Sequence, residues 1–592
     1  MDFFLCLITQ KNDYLKFIDF SNPQVRFEYL TKLLQNSVYF VEIRLNCNVF
    51  VKTSAMAGCD NICVNKGGTY MGKIIALTGA SGNMGLETVM QLMESGVVEK
   101  LKVLLLNERR ERKCAKEWKR KYGGRIEVIF GDLAEKEDCR KLVANSDYVL
   151  NLAAVIPPTA DHYPVLTDRC NRIGAMNIVD SVSEIKENQP KLVHISTVAI
   201  YGNRNYKHPW GRVGDPLISS TYDEYSASKI KGERYVLDSD VKQWAVLRQT
   251  GMLHNRMLTN NMKDGLMFHT CFNAPIEWVT ARDSGLLMRR LVEKDASGQL
   301  EEKFWKKCYN IGGGACNRVT GYDTFDEGFK IIGGSTQKYM KPQWNSIRNF
   351  HCMWFQDSHI LNDYFDFQHE DIKDYWQEIL SQHEYYRLGK LVPAKLVSKL
   401  AIERLLKDDN APRYWVSSNQ AGKVKAFFGS KENLKCLPSD WSKFPILAHG
   451  QLADGDVDYD DMRDITKLKE HGYILDHGYD ESKSDDELDI EDMQSAAAFR
   501  GGKCLSTSMK KGDLYTKLEW ECHDGHRFWA SPYCILKAGH WCPVCCQPQP
   551  WDYDRLSKFM PFYAQVWYDT HAKGENTTYF YDGNHVARYT VY

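Results

Sequence analysis

Lys73-Ile74-Ile75-Ala76-Leu77-Thr78-Gly79-Ala80-Ser81-Gly82-Asn83-Met84-Gly85 begins as a buried strand and ends on glycines that open a helix. Glycine is needed at such a junction for the tight turn, for close backbone approach of a phosphate, and for close helix–strand packing. The start of the helix then offers free amide donors and the positive end of its dipole, so the expected occupant is the pyrophosphate of a dinucleotide. Gly79, Ser81, Gly82, Asn83, Met84 and Gly85 are the candidate contacts.

Outward from this turn, short apolar runs alternate with helical ones. Strands are expected over residues 73–78, 102–106, 125–130, 148–153, 191–196 and 244–248, with a helix over 85–95 and further helical segments between. Buried strands alternating with helices predict βαβ units, hence an α/β fold on a Rossmann-type parallel sheet. Such a sheet has right-handed crossovers and holds ligands beyond the carboxyl ends of its strands. The alternation stops near Arg404, so a dinucleotide-binding and substrate-binding part is expected over 71–405. Residues 406–497 read as an extension and an acidic linker, with aspartates at 454, 456, 458, 460 and 461, and residues 498–592 as a compact Cys/His module. The aspartate run lacks the glycine position and closing glutamate of an EF-hand loop, and a solvated segment is the simpler reading.

A chain of 592 residues is too long for one core. The first seventy residues carry no clean period. Lys66-Gly67-Gly68 could be encoded by a purine-rich ribosome-binding sequence before Met71, so residues 1–70 are expected to be a translated leader, the alternative being a genuine extension packed on the dinucleotide part. A formal net charge of −1 argues against nucleic-acid binding driven by bulk electrostatics. The 18 cysteines are mostly scattered singly, which predicts reduced thiols and a cytoplasmic protein. No run approaches the length of a transmembrane helix, and the N-terminus lacks the pattern of a signal peptide.

Further motifs end the later strands. Gly131-Asp132-Leu133 follows the third and Asn151-Leu152-Ala153-Ala154 the fourth, where an aspartate can bond an adenine amino group and small residues leave room for a cofactor. Tyr225-Ser226-Ala227-Ser228-Lys229 places Tyr225 and Lys229 on one helical face. A tyrosine, with an ordinary pKa near 10, is a poor base unless a nearby cation favours the phenolate. Ser196-Thr197-Val198-Ala199-Ile200-Tyr201-Gly202 stands upstream, at the end of a buried strand.

Together these stretches resemble the extended short-chain dehydrogenase/reductases, firmly over residues 72–330 and loosely to 400, with Asn151 where many members carry histidine. The resemblance implies reversible hydride transfer between a secondary alcohol or ketone and a nicotinamide cofactor, without a metal. It implies Tyr225 as proton carrier, Lys229 on the nicotinamide ribose, and Thr197 rather than Ser196 as the hydroxyl donor to the substrate oxygen. Asn171 is the candidate fourth member, in a proton relay.

The second expected strand runs into Asn107, Glu108, Arg109 and Arg110. Asn107 carries no charge to repel a 2′-phosphate and Arg109 can pair with one, which favours NADP; Glu108 on the ribose of NAD is the alternative. For the substrate, Val155-Ile156-Pro157-Pro158 reads as an apolar wall, continued by Met252, Leu253, Met257, Leu258, Met267, Phe268 and Phe272, unless these are ordinary core. No diphosphate-binding arginine is obvious near Arg282-Asp283, so a small lipophilic substrate such as a 3β-hydroxysteroid or sterol is the expectation, with nucleotide-sugar epimerisation or dehydration as the alternative. From Pro393 to Lys407 an amphipathic basic helix is expected, docked on the core or in transient contact with a membrane surface.

Cys522, His526, Cys542 and Cys545 have zinc-ligand spacing, and their surroundings resemble the treble-clef fingers appended to some homing-type endonucleases. The expected role is a closed structural zinc site, with Cys534 and Cys546 as bystanders. A cofactor-sensing protein that touches nucleic acid through this module is the non-enzymatic alternative. Self-association is left open by the sequence.

Overall fold

The computed structural model describes residues 4–6, 17–19, 72–257, 263–545 and 551–580. The chain divides into two compact units, residues 1–69 and 70–592. In the first, strands Phe4–Cys6 and Phe17–Asp19 pair antiparallel, with Phe4 opposite Asp19. The expected leader falls almost wholly outside the described residues.

The second unit is built on β1 (Lys73–Thr78), α1 (Asn83–Glu94), β2 (Val98–Leu105), α2 (Arg109–Tyr122), β3 (Ile126–Phe130), α3 (Lys136–Val143) and β4 (Tyr148–Asn151). There follow α4 (Gly174–Ser183), β5 (Lys191–Thr197), α5 (Glu224–Leu237), β6 (Trp244–Gln249), α6 (Ala281–Ala296) and β7 (Lys307–Ile311). The seven strands form one sheet in the order β7-β6-β5-β4-β1-β2-β3, every pair parallel. The order reverses between β1 and β4, where such sheets open a ligand crevice. Register brings the strand ends level there, with Thr78 opposite Asn151, Asn151 opposite His194 and Thr197 opposite Gln249. Ile75, Leu77, Val103, Leu150 and Val193 are fully buried between the helical layers, as a sheet covered on both faces requires.

The fold class matches the expectation, with differences at edges. β2 begins at Val98, four residues early, because Val98 and Leu101 are also buried. β7 was not anticipated, since Lys307-Cys308-Tyr309-Asn310-Ile311 is short and mixed in polarity.

Residues 406–497 do not run as a free linker. Trp415, Phe428, Leu447, Met462, Leu475 and Leu488 are buried along the core. The aspartates serve local structure: Asp458, Asp464 and Asp489 each accept backbone N–H bonds at the start of a helical turn. The cysteine-rich segment holds a three-stranded antiparallel sheet, Lys503–Cys504, Leu518–Glu521 and Arg527–Ala530. It shares its core with the α/β part, because Trp520, Tyr533 and Trp541 belong to the same buried cluster as Val246 and Cys308. The Tyr533 hydroxyl receives the Cys308 amide at 2.6 Å, tying this segment to β7. Among the described residues no helix is long and apolar enough to cross a membrane.

Candidate active site

The turn from β1 into α1 is tight enough to require glycine at two positions. Gly79 has φ +68°, and a Cβ on it would lie 2.7 Å from the Ala153 nitrogen. A Cβ on Gly85 would lie 2.1 Å from the Gly79 carbonyl oxygen. Gly82 caps α1 with no side chain bonding the first amides, which leaves the helix start available to an anion. Met84 is buried beneath the turn. The Ser81 hydroxyl donates to Glu111 at 3.3 Å, and its carbonyl accepts from the Arg110 guanidinium at 2.5 Å.

Thr197, Tyr225 and Lys229 converge at the carboxyl end of β5. Thr197 ends the strand, and its oxygen accepts the Ala199 amide at 3.2 Å. Its hydroxyl lies within hydrogen-bonding reach of the Gln249 carbonyl, at 3.4 Å, and of the Tyr225 phenol. Tyr225 and Lys229 occupy the first turns of α5, which Asp223 caps by accepting the Ser226 amide. Burial pushes the Tyr225 phenol up to about 12, against the hydrogen bond from Thr197 and with the Asp223 charge adding to the rise. The expected depression by Lys229 is not seen in the unliganded geometry. The Lys229 ammonium instead donates to the Ile195 carbonyl, and burial pulls it down to about 8.

Asn171 sits in a π-helical turn, Arg169–Ile173, of a kind frequent at functional sites. Its side chain is occupied: Oδ1 accepts the Val155 amide at 2.8 Å, and Nδ2 donates to the Val155 carbonyl and the Ser228 hydroxyl, each at 3.0 Å. It fixes the loop after β4 rather than reaching Lys229. Asn151 likewise spans strands, accepting from Thr78 at 2.7 Å and meeting His194 Nδ1 at 3.0 Å, while the Thr78 oxygen accepts the Ala153 amide at 3.1 Å. Ala153 and Ala154 stay partly exposed beside Gly79. Asp132 accepts the Ala134 amide at 2.9 Å and pairs with Arg169 at 3.2 Å, so an adenine amino group would have to share it. The Leu133 carbonyl accepts from Asn177 at 2.8 Å, pinning α4 to this loop.

At the tip of β2, Asn107 accepts from Arg112 at 3.4 Å and Arg109 is exposed. Arg110, not Arg109, reaches the glycine turn. Arg256 approaches the same place: burial lowers its pKa, and the Arg110 charge lowers it further.

The anticipated apolar wall is largely core. Leu253, Met267, Phe268 and Phe272 are buried in packed clusters, and Ile156 is 48% exposed. Leu258 lies outside the described residues. The cavity that opens between the loop after β4 and the segment before α5 has a mixed lining, with Asp161, Tyr222, Asp223, His351, Asn410 and Lys423 beside Leu266, Phe350, Trp415 and Phe427. His351 Nδ1 lies 3.1 Å from Asp223, and Asn410 donates to Asp161 at 3.1 Å. Burial, with Asp223 nearby, pushes Asp161 up to about 7. No sequence pattern marked the six polar residues, which come from five separate stretches. Arg282 is taken up by Glu370 and Glu378.

One buried network also escaped the sequence. Glu233, one turn beyond Lys229, is fully buried against Arg248, with contacts of 2.6 and 3.2 Å, and Arg248 also donates to the Ala538 carbonyl at 2.7 Å. Its place four residues after Lys229 was a usable signal for the helical face. The partners from residues 538–541 were not.

Cys522, His526, Cys542 and Cys545 bring their ligand atoms within 4.8 Å of one another. Cys534 stands apart, its thiol pushed up to about 12 by burial.

Residues 75–248, from β1 into β6, match the model of the NAD dependent epimerase/dehydratase family. The glycine turn, Thr197, Tyr225 and Lys229 all lie within the matched residues. UDP-glucose 4-epimerases of Rickettsia canadensis (strain McKiel) and Rickettsia conorii (strain ATCC VR-613 / Malish 7) are 25% and 23% identical over 129 residues, 22% of this chain. The chain spans 37% of the length of these curated relatives. Among solved structures, dTDP-glucose 4,6-dehydratase from Bacillus anthracis str. Ames in complex with NAD is 16% identical with a TM-score of 0.41, covering 54% of this chain and 98% of that one. The UDP-Glc/GlcNAc 4-epimerase from Campylobacter jejuni is 14% identical with a TM-score of 0.42, covering 52% and 100%.

Proposed function

We propose that this protein is a nicotinamide-dependent oxidoreductase that transiently oxidises a secondary alcohol of a nucleotide sugar, in the manner of epimerases and dehydratases. Polar groups in the cavity that Asp223 lines carry this reading, since Asp161, Asn410 and His351 offer partners for sugar hydroxyls within a lining that also holds Leu266, Phe350 and Trp415. Lys423 would supply positive charge for a diphosphate, whereas Arg282 is paired with Glu370 and Glu378. The family match supports the same choice over the lipophilic substrate that the sequence favoured.

The chain's own residues then have definite tasks. A nicotinamide ring held beyond β5 would supply the hydride acceptor. Tyr225 takes the proton from the substrate hydroxyl, while Thr197 donates to the oxygen on which charge develops. Lys229, released from Ile195, holds the nicotinamide ribose and brings its charge toward the phenol, lowering a pKa that burial and the Asp223 charge hold high. In an epimerase or dehydratase the hydride returns to the sugar, so the cofactor shows no net change.

Incubation with NAD or NADP and UDP-glucose or dTDP-glucose, followed by chromatographic separation of the nucleotide sugars, tests this. A new nucleotide sugar without net cofactor reduction is expected. Stoichiometric cofactor reduction by a 3β-hydroxysteroid, with nucleotide sugars inert, would overturn it. The Cys/His cluster is proposed as a structural zinc site: His526 Nδ1 stands 3.3 Å from Cys522 Sγ and 3.8 Å from Cys542 Sγ. Ligand separations of about 3.5–3.8 Å follow from tetrahedral zinc bond lengths.

A further inference from the structure

Residues 384–407 carry six basic side chains against two acidic ones, on a chain whose net charge is −1. They form a 3₁₀ helix, Glu384–Leu391, followed by the turns Ala394–Val397, Ser398–Ile402 and Glu403–Lys407. A 3₁₀ helix repeats every three residues, so Tyr385, Leu388 and Leu391 share one face. All three point to solvent, at 62%, 61% and 73% exposure. In the following turns the inward side is set by Ser398, bonded to the Tyr339 carbonyl at 2.8 Å, and by buried Ile402 and Leu405. Leu396 and Leu400, one turn apart, lie on the outward side at 45% and 62% exposure. The sequence places Leu396, Val397, Leu400 and Leu405 on one apolar face, whereas Val397 and Leu405 pack on the core and Leu396 and Leu400 do not.

Exposed large apolar side chains elsewhere on the described surface occur mostly singly, which needs no explanation; five leucine and tyrosine side chains within sixteen residues do. Arg387 and Lys390 flank the first row, and Lys395 and Lys399 flank the second. Apolar rows edged with cations are the pattern of a segment lying in a bilayer interface, about 5–10 Å deep, with its cations at anionic headgroups. A second copy of the chain meeting this face by a two-fold axis would set its basic residues against the same basic residues, which is unfavourable.

We propose that residues 385–400 are a docking surface for an anionic lipid bilayer. The proposal is independent of the catalytic reading. Flotation of the full-length chain with vesicles of phosphatidylcholine alone, or of phosphatidylcholine mixed with phosphatidylglycerol, tests it. Binding to the anionic vesicles alone is expected, weakening as salt is raised. Leu388→Glu with Leu391→Glu should abolish it, and each of Lys395→Ala and Lys399→Ala should weaken it about five-fold. Because these side chains are exposed, the variants should keep the wild-type melting temperature. No flotation with anionic vesicles, equal flotation with neutral ones, or undiminished flotation of the Leu388/Leu391 variant would each overturn the proposal. Light scattering that shows self-association lost in that variant, without vesicle binding by the wild type, would assign the face to a second copy instead.

Discussion

His540 Nε2 lies 3.0 Å from Glu233 Oε1, so a side chain from the cysteine-rich segment completes the partners of a buried carboxylate one helical turn beyond Lys229. Arg248 donates to both oxygens of that carboxylate, sharing Oε1 with His540, and Arg234, the next residue on α5, donates to the Trp541 carbonyl at 3.1 Å. The helix that carries Tyr225 and Lys229 is therefore seated on residues far along the chain.

His540→Ala should destabilise the protein by about 1–3 kcal/mol, the usual cost of removing one partner from a buried polar group. Arg248→Met should cost more, roughly 3–5 kcal/mol, because it strands the Glu233 charge. Urea unfolding of both variants checks the order, and the reverse order would show that His540 rather than Arg248 is the main counter-group.

Tyr225→Phe should lower kcat by about 10²–10⁴-fold, the range for a lost general acid–base group. The ring still packs, so cofactor binding should stay near wild type in a fluorescence titration of the reduced cofactor. Full activity in this variant would remove the proton carrier from the mechanism.

The Lys229 value gives a pH dependence. Burial pulls its ammonium down to about 8, while the unfolded chain keeps a lysine charged to about 10.4. Between those values the unfolded state binds more protons, so this group's contribution to stability rises with pH there. Function runs the other way. If the charged form holds the ribose, cofactor affinity should be flat below pH 8 and fall by up to about tenfold per unit above it. Lys229→Met should bind more weakly and show no such break. A break that persists in Lys229→Met would assign it to another group.

What the sequence revealed was local. Gly79, Gly82 and Gly85 lie within one turn, and Tyr225 and Lys229 share one face of one helix, so spacing alone brings each set together. The choice between Arg109 and Arg110 depends on the phase of α2, which the N-cap position of Glu108 sets and composition does not. Asn171 looked available because nothing in the sequence shows the Val155 backbone folding back onto it. Met267, Phe268 and Phe272 are apolar whether they line a cavity or fill a core, and they fill a core. His540 and Glu233 stand 307 positions apart, and no period links them.

Metal removal separates the two parts of the molecule. Purified protein should carry about one zinc ion per chain, bound through thiolates and one imidazole. Cys542→Ser should lose it and melt several degrees lower, since binding energy at such a site is folding energy. Because Trp541 and His540 precede Cys542 directly and touch α5, cofactor affinity should fall as well. Metal analysis that finds no zinc in the wild-type chain would sink the assignment.

Cofactor choice turns on Arg110. Its guanidinium already touches the glycine turn through the Ser81 carbonyl, and Arg256 approaches it closely enough for the two charges to repel. We propose that these two guanidiniums beside the glycine turn would receive the 2′-phosphate of NADP. Asn107, at the strand tip, carries no charge that would oppose it. Arg110→Ala should therefore raise the KM for NADP roughly ten- to a hundredfold, the worth of a hydrogen bond to a charged group, and leave that for NAD within about twofold. Arg109→Ala should change neither, because its side chain is exposed and away from the turn. Steady-state kinetics with both cofactors decide the matter. If Arg110→Ala shifts the two KM values equally, the arginine only braces the turn and NAD is the working cofactor, with the Ser81–Glu111 contact as the next place to look for ribose recognition.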